Sequence, residues 1–511
     1  MKKFIVIFLF GMMLACYGAV AHAQDTKAVY GITVPDKLGK VKERYAGDTD
    51  SVIIHIQDAH ANLEAQQNIA NIIEFLARKD NVTVVGLEGS AESVDLHEYA
   101  RYPFPDAVKA TAMDFVKEGY FTGSEYAQIT SATDIELYGV ENEKLMKTNY
   151  KAYLQVLALQ DNGLREFTAL DDAVLAIEKQ LDNEELKAFL TTVENYEDKM
   201  TDFVDFSTAV IAKAGELKID LFPYTDLKQY AEYIEKKNAI DLEKLDAEKE
   251  KLISIFEKRS GELNENPIYT RLQKALSGEN RLYSVNEVEN MLILLARDFS
   301  IPEDEYKNLL ENTEIERRFQ LFNVGNLIEQ ADELSYAILY RLAKTDDQKK
   351  LLDIRRMVKI ILKMTQLEAL KHDVTYFQQH RNTIDMTGWY TFIERQAAKH
   401  SLKVQLEKEL VDYGQLFDAI STYYVTAIER DTVLADNIVA LLKQKNVPMA
   451  DLVAGGYHTE GITERLRELK QSYVVIMPRI TTGAEEIPLK KRLTGELFGK
   501  NMLKELEKEG V

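Results

Sequence analysis

Two histidines and two glutamates of this chain each stand at the end of a short, β-branched apolar run. The four residues are His60, Glu88, Glu141 and His458. An imidazole can act as a general base or bind a metal ion, and a carboxylate can orient water, hold a cation or balance a charge. Their types therefore predict acid–base or metal-assisted chemistry if the fold brings them together.

His458 and Glu88 have the most informative neighbours. Gly455 and Gly456 precede His458, and a histidine on such a turn has little structural reason to exist. Glu88 lies in the sequence GLEG, where glycine lets backbone or a ligand approach closely. We interpret both as site residues, although Glu88 could instead form a salt bridge with an arginine.

His60 follows Asp58, which could fix the tautomer of its imidazole. In the alternative interpretation, Asp58 caps a helix and His60 is incidental. Glu141, in the sequence YGVEN, has the same position after a predicted strand and is the fourth candidate. His55 differs because it lies inside an apolar run, which predicts a buried core histidine.

Arg430 and Arg479 are the candidate cationic residues. Arg430 lies in the helical segment AIERDTVLADNI and could bind a substrate carboxylate or stabilise an oxyanion. It could equally be the counter-ion of Glu88 or Glu141. Arg479 follows the last predicted strand and competes for the same roles.

The elements that must position these residues predict an α/β fold. Nearly continuous apolar runs are typical of strands buried on both faces of a parallel sheet. Four such runs occur, at 51–60, 82–89, 134–142 and 449–458. Ligands bind beyond the carboxyl ends of such strands, so the four candidates should meet at one edge. We therefore predict a mostly parallel sheet formed by the N- and C-terminal segments, with a large all-helical insertion.

The insertion is predicted from composition. Between residues 150 and 445 the prolines are Pro223, Pro267 and Pro302, far below average usage. Segments such as 230–259 and 346–372 carry apolar residues at three- and four-residue spacing among charges, which predicts amphipathic helices. The predicted domains are a signal peptide at 1–23, core parts at 24–149 and 427–511, and a helical insertion at 150–426.

The N-terminal sequence predicts an exported protein, and the net charge limits its partners. Two lysines precede a long apolar stretch that ends at the small-x-small sequence 21–23, which is typical of a cleaved signal peptide. After cleavage we expect no membrane span and a periplasmic or extracellular location; a lipoprotein anchor at Cys16, the single cysteine, is the alternative. The net charge of −21 disfavours nucleic acid and anionic membranes as partners.

Walker phosphate loops and the GxGxxG, HExxH and GxSxG motifs are absent from the sequence. Four other motifs, in this order, resemble a superfamily that joins the TraB and pheromone-shutdown proteins, the ChaN-like haem-associated lipoproteins, the Tiki metalloproteases and the erythromycin esterases. They are the histidine at the end of 57–60, Glu88 after a strand, the arginine helix at 429–435 and the GxxH at 455–458. The family's first GxxH has Gln57 in place of its glycine here.

The resemblance implies an α/β core in which His60, Glu88 and His458 cluster, with hydrolysis as the common chemistry. These three side chains would bind a divalent cation such as Mn, Co, Fe or Zn. Glu141 would then be a base or a hydrogen-bond partner of the ligands, and Arg430 would stabilise the tetrahedral oxyanion. Without a metal, His60 would activate water directly and Glu88 would orient it. The sequence leaves both mechanisms open.

The sequence thus predicts an exported hydrolase of peptide or ester bonds, acting on a peptide or a small molecule. One alternative is a ChaN-like haem- or iron-binding protein with His60 or His458 as the axial ligand. Another is a non-catalytic scaffold. The helical insertion could shape the mouth of the site or form a homodimer interface.

Overall fold

The computed structural model describes residues 28–481 except 61, 264, 278–284, 320, 321 and 323. The predicted signal peptide at 1–23, including Cys16, lies outside the described residues. Export and signal cleavage therefore stay predictions. None of the described helices is both long enough and apolar enough to cross a membrane.

The sheet of the described residues has seven strands. They are β1 (Gly39–Tyr45), β2 (Val52–Asp58), β3 (Val84–Leu87), β4 (Ser93–Val94), β5 (Glu136–Gly139), β6 (Met449–Gly455) and β7 (Ser472–Pro478). Their spatial order is β1-β7-β2-β6-β3-β5-β4. The five inner strands run parallel, and β1 and β4 are antiparallel edge strands. The predicted α/β class, with a mostly parallel sheet shared by both ends of the chain, is confirmed.

Helices alternate with the first strands. They are α1 (Ala28–Gly31), α2 (Leu63–Asp80), α3 (His97–Ala100), α4 (Pro105–Lys117) and α5 (Gly123–Thr130). Asn62 caps α2 by accepting a hydrogen bond from Ala65 N at 2.9 Å. This cap fixes where the chain turns from β2 into α2, directly after His60.

The described residues between β5 and β6 are mostly helical. The helices are α6 (Glu143–Glu178), α7 (Glu184–Glu197), α8 (Phe203–Glu216), α9 (Thr225–Asn238), α10 (Leu242–Lys258), α11 (Ser260–Leu263), α12 (Pro267–Leu276), α13 (Val285–Asp298), α14 (Lys307–Phe319), α15 (Val324–Leu342), α16 (Asp346–Gln366), α17 (Lys371–His380), α18 (Met386–Lys399) and α19 (Tyr413–Lys445). Short 3-10 turns lie at Glu303–Tyr306 and Arg381–Thr383. The predicted large helical region between the two strand-bearing segments is confirmed.

After β6 the chain forms a 3-10 turn, Gly456–His458, and then helix α20 (Thr459–Glu468). The two faces of the sheet are covered by different helices. Ile54 of β2 packs in one apolar core with Ile72 of α2. The next residue toward the N-terminus, Ile53, packs in a second core with Ile438 of α19 and Ile462 of α20. Burial on both faces explains why these strands are nearly continuous apolar runs.

The chain divides into two compact units. The first is formed by the described residues within 1–143, 240–321 and 431–511, and the second by those within 144–239 and 322–430. The sheet belongs to the first unit, in which the helices of 240–321 also have an apolar core of their own. The boundaries 24–149, 150–426 and 427–511 stay a prediction.

Candidate functional site

The carboxyl ends of three neighbouring strands bring together three of the predicted site residues. β6 lies between β2 and β3, and Asp58 at the end of β2 pairs with Gly455 at the end of β6. His60, Glu88 and His458 follow these three strand ends. The Nε2 atoms of both imidazoles face the carboxylate of Glu88, at 3.9 Å from Oε2 for His60 and 3.2 Å from Oε1 for His458.

His60 is held by a carboxylate from behind. Its Nδ1 lies 2.8 Å from Asp58 Oδ2, and its side chain is 39% exposed. Since a carboxylate accepts a hydrogen bond, this contact places a ring proton on Nδ1. In its neutral form, the His60 imidazole presents a basic Nε2 toward Glu88.

A chain of hydrogen bonds fixes Asp58 in turn. Gln66 Nε2 donates to Asp58 Oδ1 at 2.5 Å, and Gly123 N donates to Gln66 Oε1 at 2.7 Å. Gln66 is the fourth residue of α2, and Gly123 is the first residue of α5. Both are buried. The orientation of His60 is thus set by the start of two helices, a role that the sequence did not reveal for Gln66.

His458 has the same arrangement with a different acid. Its Nδ1 lies 2.5 Å from Asp431 Oδ1, and only 6% of its side chain is exposed. Burial alone would lower the pKa of His458, but the charges of Glu88 and Asp431 raise it to about 10. At neutral pH this imidazole is a cation between two carboxylates.

Asp431 is a site residue that the sequence analysis did not single out. Asp431 lies in the middle of α19, next to Arg430. From the sequence alone, an acidic residue there could not be distinguished from one that faces solvent. The close approach of Asp431 to α20 depends on Gly461, because a Cβ there would lie 2.0 Å from Asp431 Oδ2. Its place within the arginine-helix motif was the signal that could have identified it.

Glu88 is fixed by both neighbouring elements. Gly455 N donates a hydrogen bond to Glu88 Oε2 at 2.6 Å, and the Glu88 side chain is 11% exposed. The next residue, Gly89, has φ 82°, a left-handed conformation that favours glycine. Gly89 therefore allows the turn after β3, and Gly455 allows the β6 backbone to approach the Glu88 carboxylate.

Glu141 lies next to the Glu88 turn, as its position after β5 predicts. Gly89 N donates to Glu141 Oε1 at 3.4 Å, and Glu141 is buried. This contact supports the turn that carries Glu88. Whether Glu141 also acts as a base stays a prediction.

The two candidate arginines have other contacts. Arg430 is the last residue of the second compact unit, and its Nη1 donates to Asn149 Oδ1 of that unit at 2.9 Å. Arg479 follows β7, where its backbone N donates to Leu38 O and its carbonyl accepts from Asn68 Nδ2, both at 2.8 Å. The proposed role of Arg430 in stabilising an oxyanion stays a prediction.

His55 is a core histidine, as its apolar surroundings predict. It is fully buried, with Nε2 2.9 Å from Thr459 Oγ1 and Nδ1 3.2 Å from Leu452 O. Burial lowers the pKa of His55 to about 4, so this imidazole is neutral at physiological pH. Its contact with Thr459 supports the first residue of α20, directly after His458.

The site as a whole carries an excess of negative charge. Asp58, Glu88 and Asp431 surround the two imidazoles of His60 and His458. Such a charge balance favours a bound cation or a cationic group of a substrate. No three His, Cys, Asp or Glu side chains in the described part of the chain are arranged as a metal-binding group. The ligand set His60, Glu88 and His458 stays a prediction.

The fold and the site define an α/β protein with a His–Glu–His group at the carboxyl edge of its sheet and an aspartate behind each imidazole. Such a group can take a proton from water and hold the water beside a carboxylate. Comparisons with family models, curated proteins and solved structures found no match for this chain. Function is therefore inferred from the site geometry and from the sequence motifs.

Proposed function

We propose that this protein is a hydrolase of ester or peptide bonds and that His60, Glu88 and His458 form its active site. One observation carries the proposal. Both Nε2 atoms face the same carboxylate, while each Nδ1 lies against an aspartate, Asp58 or Asp431. Ionisable groups that converge at a sheet edge and are held from behind are a feature of catalytic sites more than of packing.

His60 is the general base in this proposal. Its Nε2 is the ring nitrogen that does not face Asp58, and Asp58 stabilises the imidazolium that forms when Nε2 takes a proton. A base must lie within hydrogen-bond reach of the proton that it removes. The 39% exposure of the His60 side chain satisfies this requirement for a water at the surface of the site.

Glu88 orients the attacking water. The 3.9 Å between His60 Nε2 and Glu88 Oε2 is too long for a direct hydrogen bond, but one water can donate to both acceptors across such a distance. His458 and Gly455 N fix the carboxylate from the other side. These contacts hold the Glu88 carboxylate in place while the water is deprotonated.

A divalent cation fits the chemistry of this donor set. His60, Glu88 and His458 would hold it once His458 releases its Nε2 proton, and Asp58 and Asp431 would keep the remaining proton of each imidazole on Nδ1, as carboxylates do behind metal-bound histidines. When bound, the cation would lower the pKa of a water and polarise the substrate carbonyl. Three carboxylates around two imidazoles also make the site attractive to a cation.

Export and superfamily membership are part of the same proposal. The apolar N-terminal sequence supports export, and the order of the motifs supports a relationship to the TraB, ChaN, Tiki and erythromycin esterase proteins. The clustering of the histidines and glutamate of those motifs gives additional support. Substrates would then be peptides or esters outside the cytoplasm.

The proposal predicts that the Glu88→Gln variant and the His60→Ala/His458→Ala variant lose hydrolysis of ester and peptide substrates by at least about 100-fold. His97→Ala is the matched control, because His97 pairs with Asp95 and Asp134 and is outside the His–Glu–His group. Metal content is measured on the wild-type protein and these three variants, all purified without chelator, and circular dichroism checks that each is folded.

A metal that is present in the wild-type protein and lost in the double variant would favour the cation-assisted mechanism. Hydrolysis with no metal in any sample would favour His60 as the direct base. A folded wild-type protein without hydrolysis of any ester or peptide would contradict the proposal. In that case, a Soret band on haem titration that requires His60 or His458 would favour the haem-binding alternative.

A further inference from the structure

An aromatic cluster lies beside the helix start that orients His60. It consists of Tyr99, Phe115, Tyr120 and Phe121. Phe121 contacts Tyr99 with ring centroids 6.2 Å apart and Phe115 at 5.2 Å, and Phe115 contacts Tyr120 at 5.9 Å. Yet Tyr99 is 48% exposed and Phe115 is 40% exposed. Packed rings that stay open to solvent mark a surface that binds apolar groups.

The turn after α4 holds this cluster in shape. Gly119 has φ 79°, which reverses the chain after α4. The backbone N atoms of Tyr120 and Phe121 then both donate to Phe115 O, at 2.8 and 3.2 Å. The two rings that follow the turn are therefore fixed against the ring of Phe115 by the backbone itself.

The cluster is continuous with the candidate site. Phe121 packs against the apolar cluster of Leu63 and Val116, and Leu63, the first residue of α2, follows His60 by three positions. Two residues after Phe121, Gly123 N donates to Gln66, which donates to Asp58 behind His60. The aromatic cluster thus lies beside the start of α2, the helix that follows His60, and is a candidate contact for the substrate group next to the scissile bond.

We infer that the aromatic cluster binds an apolar acyl or side-chain group of the substrate, so that this protein prefers esters or peptides with a bulky apolar group at the scissile bond. The inference rests on the proposed function, since it assigns specificity to the same site. Tyr99 and Phe115 supply the open face of the cluster. Phe121 connects the cluster to α2. Burial of an apolar group against such rings favours the transition state of an apolar substrate over that of a small one.

The test compares 4-nitrophenyl octanoate with 4-nitrophenyl acetate on the full chain. In the Tyr99→Ser/Phe115→Ser variant, kcat/KM for octanoate is expected to fall by about tenfold relative to kcat/KM for acetate. Phe104→Ser is the matched control, because Phe104 is 69% exposed in the same segment and has no ring partner among the described residues. It should keep the wild-type ratio. Circular dichroism spectra that match that of the wild-type protein show that each variant is folded.

Binding of the neutral dye N-phenyl-1-naphthylamine is a second readout that does not require activity. We expect the dye to bind the wild-type protein and the Phe104→Ser variant, and to bind the double variant at least about tenfold more weakly. An unchanged octanoate-to-acetate ratio, or dye binding that the double variant retains, would overturn the inference. If the wild-type protein hydrolyses neither ester, the proposed function fails and the dye result alone decides whether the cluster binds apolar groups.

Discussion

Gly455 contributes to the site because it has no side chain. A Cβ at this position would lie 3.2 Å from His60 Nε2 and 3.3 Å from Glu88 Oε2. The backbone of Gly455 has φ −54° and ψ 146°, a conformation that any residue adopts. The need for glycine is therefore steric and local: the residue leaves the space in which the basic nitrogen and the carboxylate face each other.

This geometry predicts that Gly455→Ala reduces kcat/KM for ester or peptide hydrolysis by at least about tenfold, because a displacement below 1 Å at reacting groups has such effects. The free energy of unfolding should change by less than about 1 kcal/mol, since the backbone accepts alanine. Gly456→Ala is the control, because a Cβ there would meet nothing within 4 Å. Equal activity in both variants would contradict this account of the site.

At the residue scale, side chains directly after strands could be predicted from the sequence, whereas their partners on helices could not. His60, Glu88 and Glu141 each follow a run whose strand identity was evident, and the parallel sheet then requires them to share an edge. Asp431 was missed because the sequence of α19 does not show which of its side chains face the site. That becomes evident only when the neighbouring helix is known. The contact depends on Gly461 of α20, far along the chain.

At the element scale, the inner strands were predictable and the edges were not. β2, β3, β5 and β6 are apolar because both of their faces are buried. β1 has the sequence GKVKERY, with alternating charges typical of many loops and helices, and its place beside β7 is set by tertiary pairing. The order of the strands also depends on which distant segments pair with each other, and no local sequence pattern specifies this pairing.

β6 contains a buried carboxyl group, that of Asp451, that the candidate site does not explain. Both carboxylate oxygens of Asp451 are buried without a hydrogen-bond partner among the described residues. Burial, and to a smaller extent the nearby Asp80, raises the pKa of Asp451 well above its usual value. The folded protein therefore holds a proton on Asp451 that the unfolded chain releases, and the stability that Asp451 contributes falls as the pH rises above about 4.

We predict that Asp451→Asn raises the free energy of unfolding at pH 7 by at least about 1 kcal/mol, because the amide needs no proton. The advantage over the wild type should shrink as the pH is lowered through about 4, because the carboxyl of the unfolded wild-type chain then becomes protonated as well. Urea unfolding across this pH range measures it. Asp48→Asn is the control, since the Asp48 side chain is 72% exposed. A destabilised or pH-independent Asp451→Asn variant would show that the carboxylate has a partner in solution.

At the scale of the whole molecule, the site depends on the pairing of strands from the two ends of the chain. β6 pairs with β2 from Val52↔Met449 to Asp58↔Gly455, and it also pairs with β3. Closure across the intervening helical region has an entropic cost that must be offset by these central pairings. The strands that assemble the sheet therefore also assemble the His–Glu–His group.

This dependence predicts the behaviour of a chain that ends at Lys445, the last residue of α19. Such a chain lacks β6 and β7, the two neighbours of β2. The amides of β2 should lose hydrogen-exchange protection by at least about a thousandfold, because their ladder partners and the apolar contacts of β6 are absent. The full-length Glu88→Gln variant should keep that protection, since it changes one carboxylate at the strand edge. Protected β2 amides in the truncated chain would mean that the N-terminal strands form a sheet without β6, and that the site is completed on a preformed core.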